Sequence, residues 1–131
     1  MSLYLLDTHA LIWLVKEPNR IPEFTRELLA DPDNTRIVSA VSAMEITLKY
    51  RLGKWPQIRD LIENWDAAVQ TLMAIETPLT PKQAFLAGSL DWEHRDPFDR
   101  MLVAQAIDLK VPLVKADAKI TELPGLEILW K

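Results

Sequence analysis

Two aspartates lie three positions apart on either side of a proline in the stretch HRDPFDRML. Asp96 directly precedes the proline, where aspartate is a typical helix N-cap. Asp99 shares a helix face with Leu102 and Val103, because successive residues turn by about 100°. An acid in the first turn also interacts well with the helix dipole, yet a charge on an apolar face is rare unless it is paired or bound to a metal. Asp99 is therefore a candidate metal ligand.

Three further acids occupy comparable positions. Asp7 follows the apolar run LYLL, Asp117 follows VPLVK, and Glu45 lies early in a helical stretch after RIVSA. Glu45 shares its helix face with Val41 and Leu48. Mg²⁺ prefers such oxygen ligands, and a bound ion neutralises phosphate oxygens and lowers the pKa of a coordinated water for attack on a phosphodiester. The four carboxylates together predict a divalent-cation site.

Each acid also has a structural explanation. Asp7 and Asp117 follow apolar runs, where aspartate commonly caps the next helix. Ser42 and Glu45 match the S-x-x-E pattern of a capping box, and Glu45 lies four residues before Lys49, a spacing that favours an ion pair. Taken singly, each acid is better explained as structural, whereas four acids at one place favour a cation site.

The elements that must position these acids alternate along the chain. The predicted strands are 3–6, 36–40, 73–77, 111–115 and 126–130. The predicted helices are 8–16, 22–31, 41–52, 58–72, 80–90 and 97–110, with Pro22 in a first turn and Gly53 as a stop signal. Short apolar strands separated by helices predict an α/β fold whose parallel sheet is covered on both faces.

This architecture places the acids at one edge. Ligands of open parallel sheets bind outside the carboxyl ends of the strands, where the chain turns into the helices. Asp7 and Asp117 follow strands directly, and Glu45 and Asp99 lie in the first turns of helices. All four are therefore expected to face the same edge of the sheet.

Composition limits the class of protein. A chain of 131 residues with 49% hydrophobic and 26% charged residues is typical of one soluble globular domain. No apolar run approaches the roughly 18 residues of a membrane span, and the start lacks the basic region of a signal peptide, so we expect a cytoplasmic protein without membrane contact. The absence of cysteine excludes disulfides and thiolate zinc sites, and the two histidines share no metal-ligand spacing. The net charge of −4 argues against a protein that coats duplex nucleic acid.

The motifs in order resemble one known family. LLDTHALIWL, VSAVSAMEITLKYRLGK, HRDPFDRMLVAQA, LVKAD and the terminal ILW are similar to PIN-domain ribonucleases of the VapC toxin type. The resemblance covers essentially the whole chain. It implies a single PIN-like domain over residues 1–131 with a three-layer α/β/α fold and a short parallel sheet.

The resemblance also implies an activity. VapC toxins cleave RNA with Mg²⁺, or Mn²⁺ in its place, held by an acidic cluster that corresponds here to Asp7, Glu45, Asp99 and Asp117, with Asp96 nearby. The implied products carry a 5′-phosphate and a 3′-hydroxyl, and Asp99 or Glu45 is expected to hold the attacking water. The implied partners are a cognate antitoxin that covers the acidic groove and a second copy of the chain in a homodimer.

Three basic residues are candidate substrate contacts. Lys49 and Arg100 belong to a set of basic side chains near the acids that either bind RNA or form an ordinary solvated surface. Lys115 departs from the family pattern, since many relatives have threonine or serine two residues before the last acid. A lysine there either pairs with an acid, contacts phosphate or weakens metal binding.

Two other classes of protein share some of these features. A receiver-like signalling module that is phosphorylated on aspartate has a similar length, helix–strand alternation and acidic Mg²⁺ pocket. A receiver needs paired acids after its first strand and an aspartate at the end of its third, whereas this chain has Asp7 alone and then Glu76. A nucleotide-binding module is disfavoured because the chain has only three glycines.

Overall fold

The strands form one parallel sheet with the first strand of the chain at its centre. The computed structural model describes residues 1–116 and 123–131. Within these residues the strands are β1 (Leu3–Leu6), β2 (Thr35–Ser39), β3 (Ile75–Thr77), β4 (Leu113–Val114) and β5 (Ile128–Leu129). Their order is β3-β2-β1-β4-β5, and every neighbouring pair is parallel. All five lie inside the predicted strands or within one residue of them.

The order of the strands distinguishes this fold from a receiver. Receiver-like folds of the flavodoxin type have the order 2-1-3-4-5, in which β1 and β3 are neighbours. Here β1 lies between β2 and β4, and β3 forms the edge beside β2. The topology therefore does not match that of the receiver alternative.

Both faces of the sheet are buried, as the prediction of three layers requires. Successive strand residues point to opposite faces. Leu5 and Leu113 belong to one hydrophobic cluster, with the apolar side chains of the helix after Pro97, whereas Leu6 and Val114 belong to a second cluster with those of the first helices. The sheet is thus the middle layer of an α/β/α domain.

The helices follow the predicted positions with one exception. They are α1 (Thr8–Lys16), α2 (Glu23–Ala30), α3 (Ala40–Arg51), α4 (Arg59–Glu63), α5 (Trp65–Thr71), α6 (Pro81–Ser89) and α7 (Pro97–Leu109), with single 3-10 turns at Pro18–Arg20 and Pro56–Ile58. The single helix predicted over 58–72 is wrong, because it breaks at Asn64. The Asn64 backbone has φ −121° and ψ 33°, and its side-chain amide donates to the Asp60 carbonyl oxygen at 2.9 Å. Asparagine favours such local bonds over continuing a helix.

The helix caps correct two further predictions. Pro22 occupies the N-cap position of α2 and not its first turn. Ser39, and not Ser42, caps α3, since its hydroxyl accepts a hydrogen bond from the Val41 backbone N–H at 3.0 Å. The predicted capping box of Ser42 and Glu45 is therefore absent, because α3 begins earlier than the pattern indicated.

No helix within residues 1–116 and 123–131 combines the length and apolar character needed to span a membrane.

Candidate active site

Asp7 lies at the carboxyl end of the central strand. It occupies the N-cap position of α1, but its side chain makes no capping hydrogen bond. Its backbone N–H donates to the Val114 carbonyl oxygen at 3.0 Å, which ties the ends of β1 and β4 together. The residue is only 3% exposed. A buried carboxylate needs a partner, and Asp7 does not gain one by capping α1.

Lys115 supplies that partner and joins Asp7 to Asp99. Its Nζ lies 3.5 Å from Asp7 Oδ1 and 3.3 Å from Asp99 Oδ1. Asp99 comes from the first turn of α7, so the ammonium connects the end of β1 with the start of that helix. Asp99 Oδ2 accepts a second hydrogen bond from His94 Nε2 at 2.6 Å. The predicted acids Asp7 and Asp99 are thus brought together around one buried lysine.

Glu45 lies on the same side of the sheet, in α3. It is 3% exposed, and its Oε2 accepts a hydrogen bond from Lys49 Nζ at 2.6 Å. The predicted ion pair between these residues is present. Its other oxygen, Oε1, is buried and has no hydrogen-bond partner among the described residues. An unsatisfied buried carboxylate oxygen is rare and points to a ligand that the described residues do not provide.

The electrostatics of Asp7 reflect these neighbours. Burial raises the pKa of Asp7 above its ordinary value of 3.8. Lys115 and His9 act in the opposite direction, while repulsion from Asp99 and Glu45 raises the pKa further. Asp99 and Glu45 are therefore close enough to Asp7 to disfavour its charge, which is the condition that a cation relieves.

We expect Asp7→Asn to stabilise the metal-free protein near neutral pH. Because the pKa of Asp7 is higher in the folded than in the unfolded state, its contribution to stability is present below pH 3.8 and is lost as the pH rises through the folded pKa. The variant should therefore have a larger free energy of unfolding than the wild type at pH 8 in EDTA, and the difference should narrow as the pH falls toward 3.8. Urea denaturation across this range measures it. A variant less stable than the wild type at pH 8 would show that the ion pair with Lys115 outweighs burial.

The remaining predicted residues have other positions. Asp96 is the N-cap of α7, as predicted, and its Oδ1 accepts from the backbone N–H groups of Phe98 and Asp99 at 2.8 and 3.3 Å. Asp117 lies outside the described residues. The Arg100 guanidinium donates to the carbonyl oxygens of Ala87, Leu90, Trp92 and His94. Among the three basic residues, Lys49 and Lys115 contact the acids and Arg100 does not.

Two features of the site were not predicted. His94 bonds to Asp99 and stacks on Trp92 with ring centroids 4.6 Å apart, which places a polar ring at the edge of the site. The hydroxyls of Thr8 and Ser42 lie 2.9 Å apart and join α1 to α3 beside the acids. His94 lies in the same stretch of sequence as Asp99. The contact between them depends on the conformation of the loop before α7, which the spacing of residues in the sequence does not predict.

The donor set fits a hard divalent cation. No group of three or more His, Cys, Asp or Glu side chains within residues 1–116 and 123–131 is arranged to hold an ion by itself. Three features nonetheless match what Mg²⁺ prefers, an incomplete set of carboxylates completed by water. They are the lack of a partner for Glu45 Oε1 among the described residues, the repulsion that Asp99 and Glu45 exert on Asp7, and the all-oxygen chemistry.

Comparisons with known proteins agree with this fold. The search of curated protein sequences finds no match. Among solved structures, the chain is similar to one described as "Crystal structure of VapBC2 from Rickettsia felis bound to a DNA fragment from their promoter", with a TM-score of 0.70 and 20% identity over 99% of this chain and 100% of that one. At this identity the likeness shows a shared fold. The family model described as "PIN domain" matches residues 4–126, so the chain belongs to the PIN domain family.

Proposed function

We propose that the protein is a metal-dependent endoribonuclease that acts as the toxin of a toxin–antitoxin pair. The observation that carries the proposal is the buried Glu45 Oε1, which has no hydrogen-bond partner among the described residues and lies near Asp7 and Asp99 at the carboxyl edge of a PIN-domain sheet. PIN domains are nucleases, and an acidic edge of this kind is suited to phosphodiester hydrolysis with a divalent ion.

The ion would be held by Asp7, Asp99 and Asp117, and Glu45 would reach it through the water that it binds. When bound, Mg²⁺ or Mn²⁺ supplies Lewis-acid chemistry, because it neutralises phosphate oxygens and makes a coordinated water more acidic. Asp96 is not included, since its carboxylate oxygen is engaged as the cap of α7.

The chain's own residues then orient the reactants. Both Asp99 oxygens already accept hydrogen bonds, from His94 and Lys115, whereas Glu45 Oε1 accepts none among the described residues. We therefore assign to Glu45 Oε1 the role of holding the attacking water and accepting its proton. Lys49 and Lys115 are the ammonium groups nearest these acids and are suited to contact the phosphate of the RNA.

The partner of the toxin would be an antitoxin that covers the acidic edge. The proposal rests on the family resemblance of the motifs and on the shared fold with the VapBC2 structure. We also propose a homodimer and a cytoplasmic location on the same basis. Co-expression with the gene product encoded beside this chain should relieve growth arrest if that product is the antitoxin.

The test is cleavage of RNA with and without divalent ions. The purified protein is incubated with total RNA in Mg²⁺, in Mn²⁺ and in EDTA, and a parallel sample receives acetyl phosphate with Mg²⁺. We expect cleavage in Mg²⁺ and Mn²⁺, none in EDTA and no phosphorylation. Full cleavage in EDTA would refute the metal mechanism, and stable phosphorylation without cleavage would favour the receiver alternative. Mapping the cut ends in cells after induction identifies the RNA.

A further inference from the structure

Lys115 is the least expected residue of the site. It follows the last residue of β4, is 7% exposed, and places its ammonium between Asp7 and Asp99 at 3.5 and 3.3 Å. Lysine is almost never this buried unless it is paired. Its position between the buried carboxylate of Asp7 and the half-buried carboxylate of Asp99 is the one that a cation bound by them would take.

A buried ammonium and a divalent ion compete for the same oxygens. The two carboxylates help to offset the cost of burying Lys115, and its ammonium helps to offset the cost of burying Asp7 beside Asp99. Mg²⁺ requires direct contact with carboxylate oxygens at about 2.1 Å. An ion at that distance would lie within a few ångströms of Nζ, where like charges repel strongly because burial limits screening.

We propose that Lys115 is a built-in counter-cation, which neutralises Asp7 and Asp99 in the metal-free protein and must leave them when a divalent ion binds. The inference rests on the proposed function, since it concerns the same site. It adds that Lys115 lowers the metal affinity of this chain and stabilises its fold in the absence of metal. The ammonium stabilises the metal-free site, and each ion that enters must first break its contacts with Asp7 and Asp99.

The proposal predicts that one substitution lowers the stability of the metal-free protein and raises its affinity for metal. Lys115→Met removes the charge but keeps a side chain of similar length. In EDTA the variant should melt at a lower temperature than the wild type, because Asp7 and Asp99 then face each other without the ammonium. Its affinity for Mn²⁺ should rise by about tenfold or more, because no like charge opposes the ion. If Lys115 only fills space, Lys115→Met should lower the melting temperature without raising the affinity for Mn²⁺.

The experiment measures metal binding and stability separately from cleavage. Mn²⁺ binding is followed by the loss of the free-ion electron paramagnetic resonance signal, and thermal melts are recorded in EDTA and in Mg²⁺. Lys54→Met is the matched control, because Lys54 is exposed in the loop after α3. The control should match the wild type in both measurements. The Lys115→Met melting temperature should rise more on addition of Mg²⁺ than that of the wild type.

A second variant covers the case in which Lys115→Met does not fold. Lys115→Gln removes the charge but keeps a hydrogen-bond donor for the carboxylates, so it should fold and also bind Mn²⁺ more tightly than the wild type. Wild-type binding with equal or weaker binding by the Lys115 variants would overturn this inference alone. The same conclusion follows if neither variant folds even in Mg²⁺. Absence of Mn²⁺ binding by every protein would overturn both this inference and the proposed metal mechanism.

Discussion

Asp99→Asn is expected to lower the rate of RNA cleavage by about three orders of magnitude while the protein stays folded. The metal contribution to transition-state stabilisation is several kcal/mol, and each 1.36 kcal/mol corresponds to a factor of ten in rate. Asparagine keeps the shape and one acceptor oxygen, so His94 or Lys115 retains a partner. Loss of the charge weakens those bonds but also relieves the repulsion on Asp7, and the two effects offset each other in stability.

The control for this variant is Asp108→Asn on the same helix. Asp108 lies nine residues further along α7, roughly 14 Å along the axis, and pairs with Lys82 and Gln83. Its replacement should leave cleavage unchanged. The rise in melting temperature that Mg²⁺ gives should shrink in Asp99→Asn and persist in Asp108→Asn, since only an ion that binds the native site stabilises it. Full activity of the Asp99→Asn protein would mean that Asp99 only interacts with the helix dipole and has no part in cleavage.

The place of Asp99 in the site could be predicted from the sequence, because its charge and its helix face indicate different environments. Its helix face is apolar, and Leu102 and Val103 are indeed fully buried, yet the residue carries a charge. The same conflict marks Glu45, which is buried on α3. A parallel sheet then dictates that the ends of the strands meet at one edge, so Asp7 could be placed beside Asp99 without knowledge of any distance.

What could not be predicted depends on side chains that reach across loops. Lys115 was recognised as unusual, but whether it pairs with an acid or points to solvent depends on burial that one strand residue does not reveal. The contact of His94 with Asp99 depends on the turn before α7. Ser39 and Ser42 are both plausible caps in sequence, and the exact start of a helix is the feature that local pattern determines least well.

Arg100 is the clearest case in which the sequence was misleading. A basic residue near the acids in sequence indicated a substrate contact. Its guanidinium instead holds the connection between α6 and α7, through bonds of 2.6 to 3.0 Å to four backbone carbonyl oxygens. That connection includes His94 and ends at the cap of α7. Arginine suits this position because its planar fork offers five donors, whereas lysine offers one compact charge.

Arg100→Met is therefore expected to cost about 3 kcal/mol of folding free energy, since hydrogen bonds from charged groups contribute about 1.5–3 kcal/mol each and water replaces only part of them. Against a typical total of about 5–15 kcal/mol this is a large loss. Arg100→Lys should lose most of the same amount, because a single ammonium cannot reach four carbonyls. Arg95→Met, at an exposed position in the same loop, should change stability by less than about 0.5 kcal/mol. Urea denaturation in EDTA measures all three. If Arg100→Met is as stable as the wild type but cleaves RNA slowly, Arg100 binds substrate and its carbonyl contacts are dispensable.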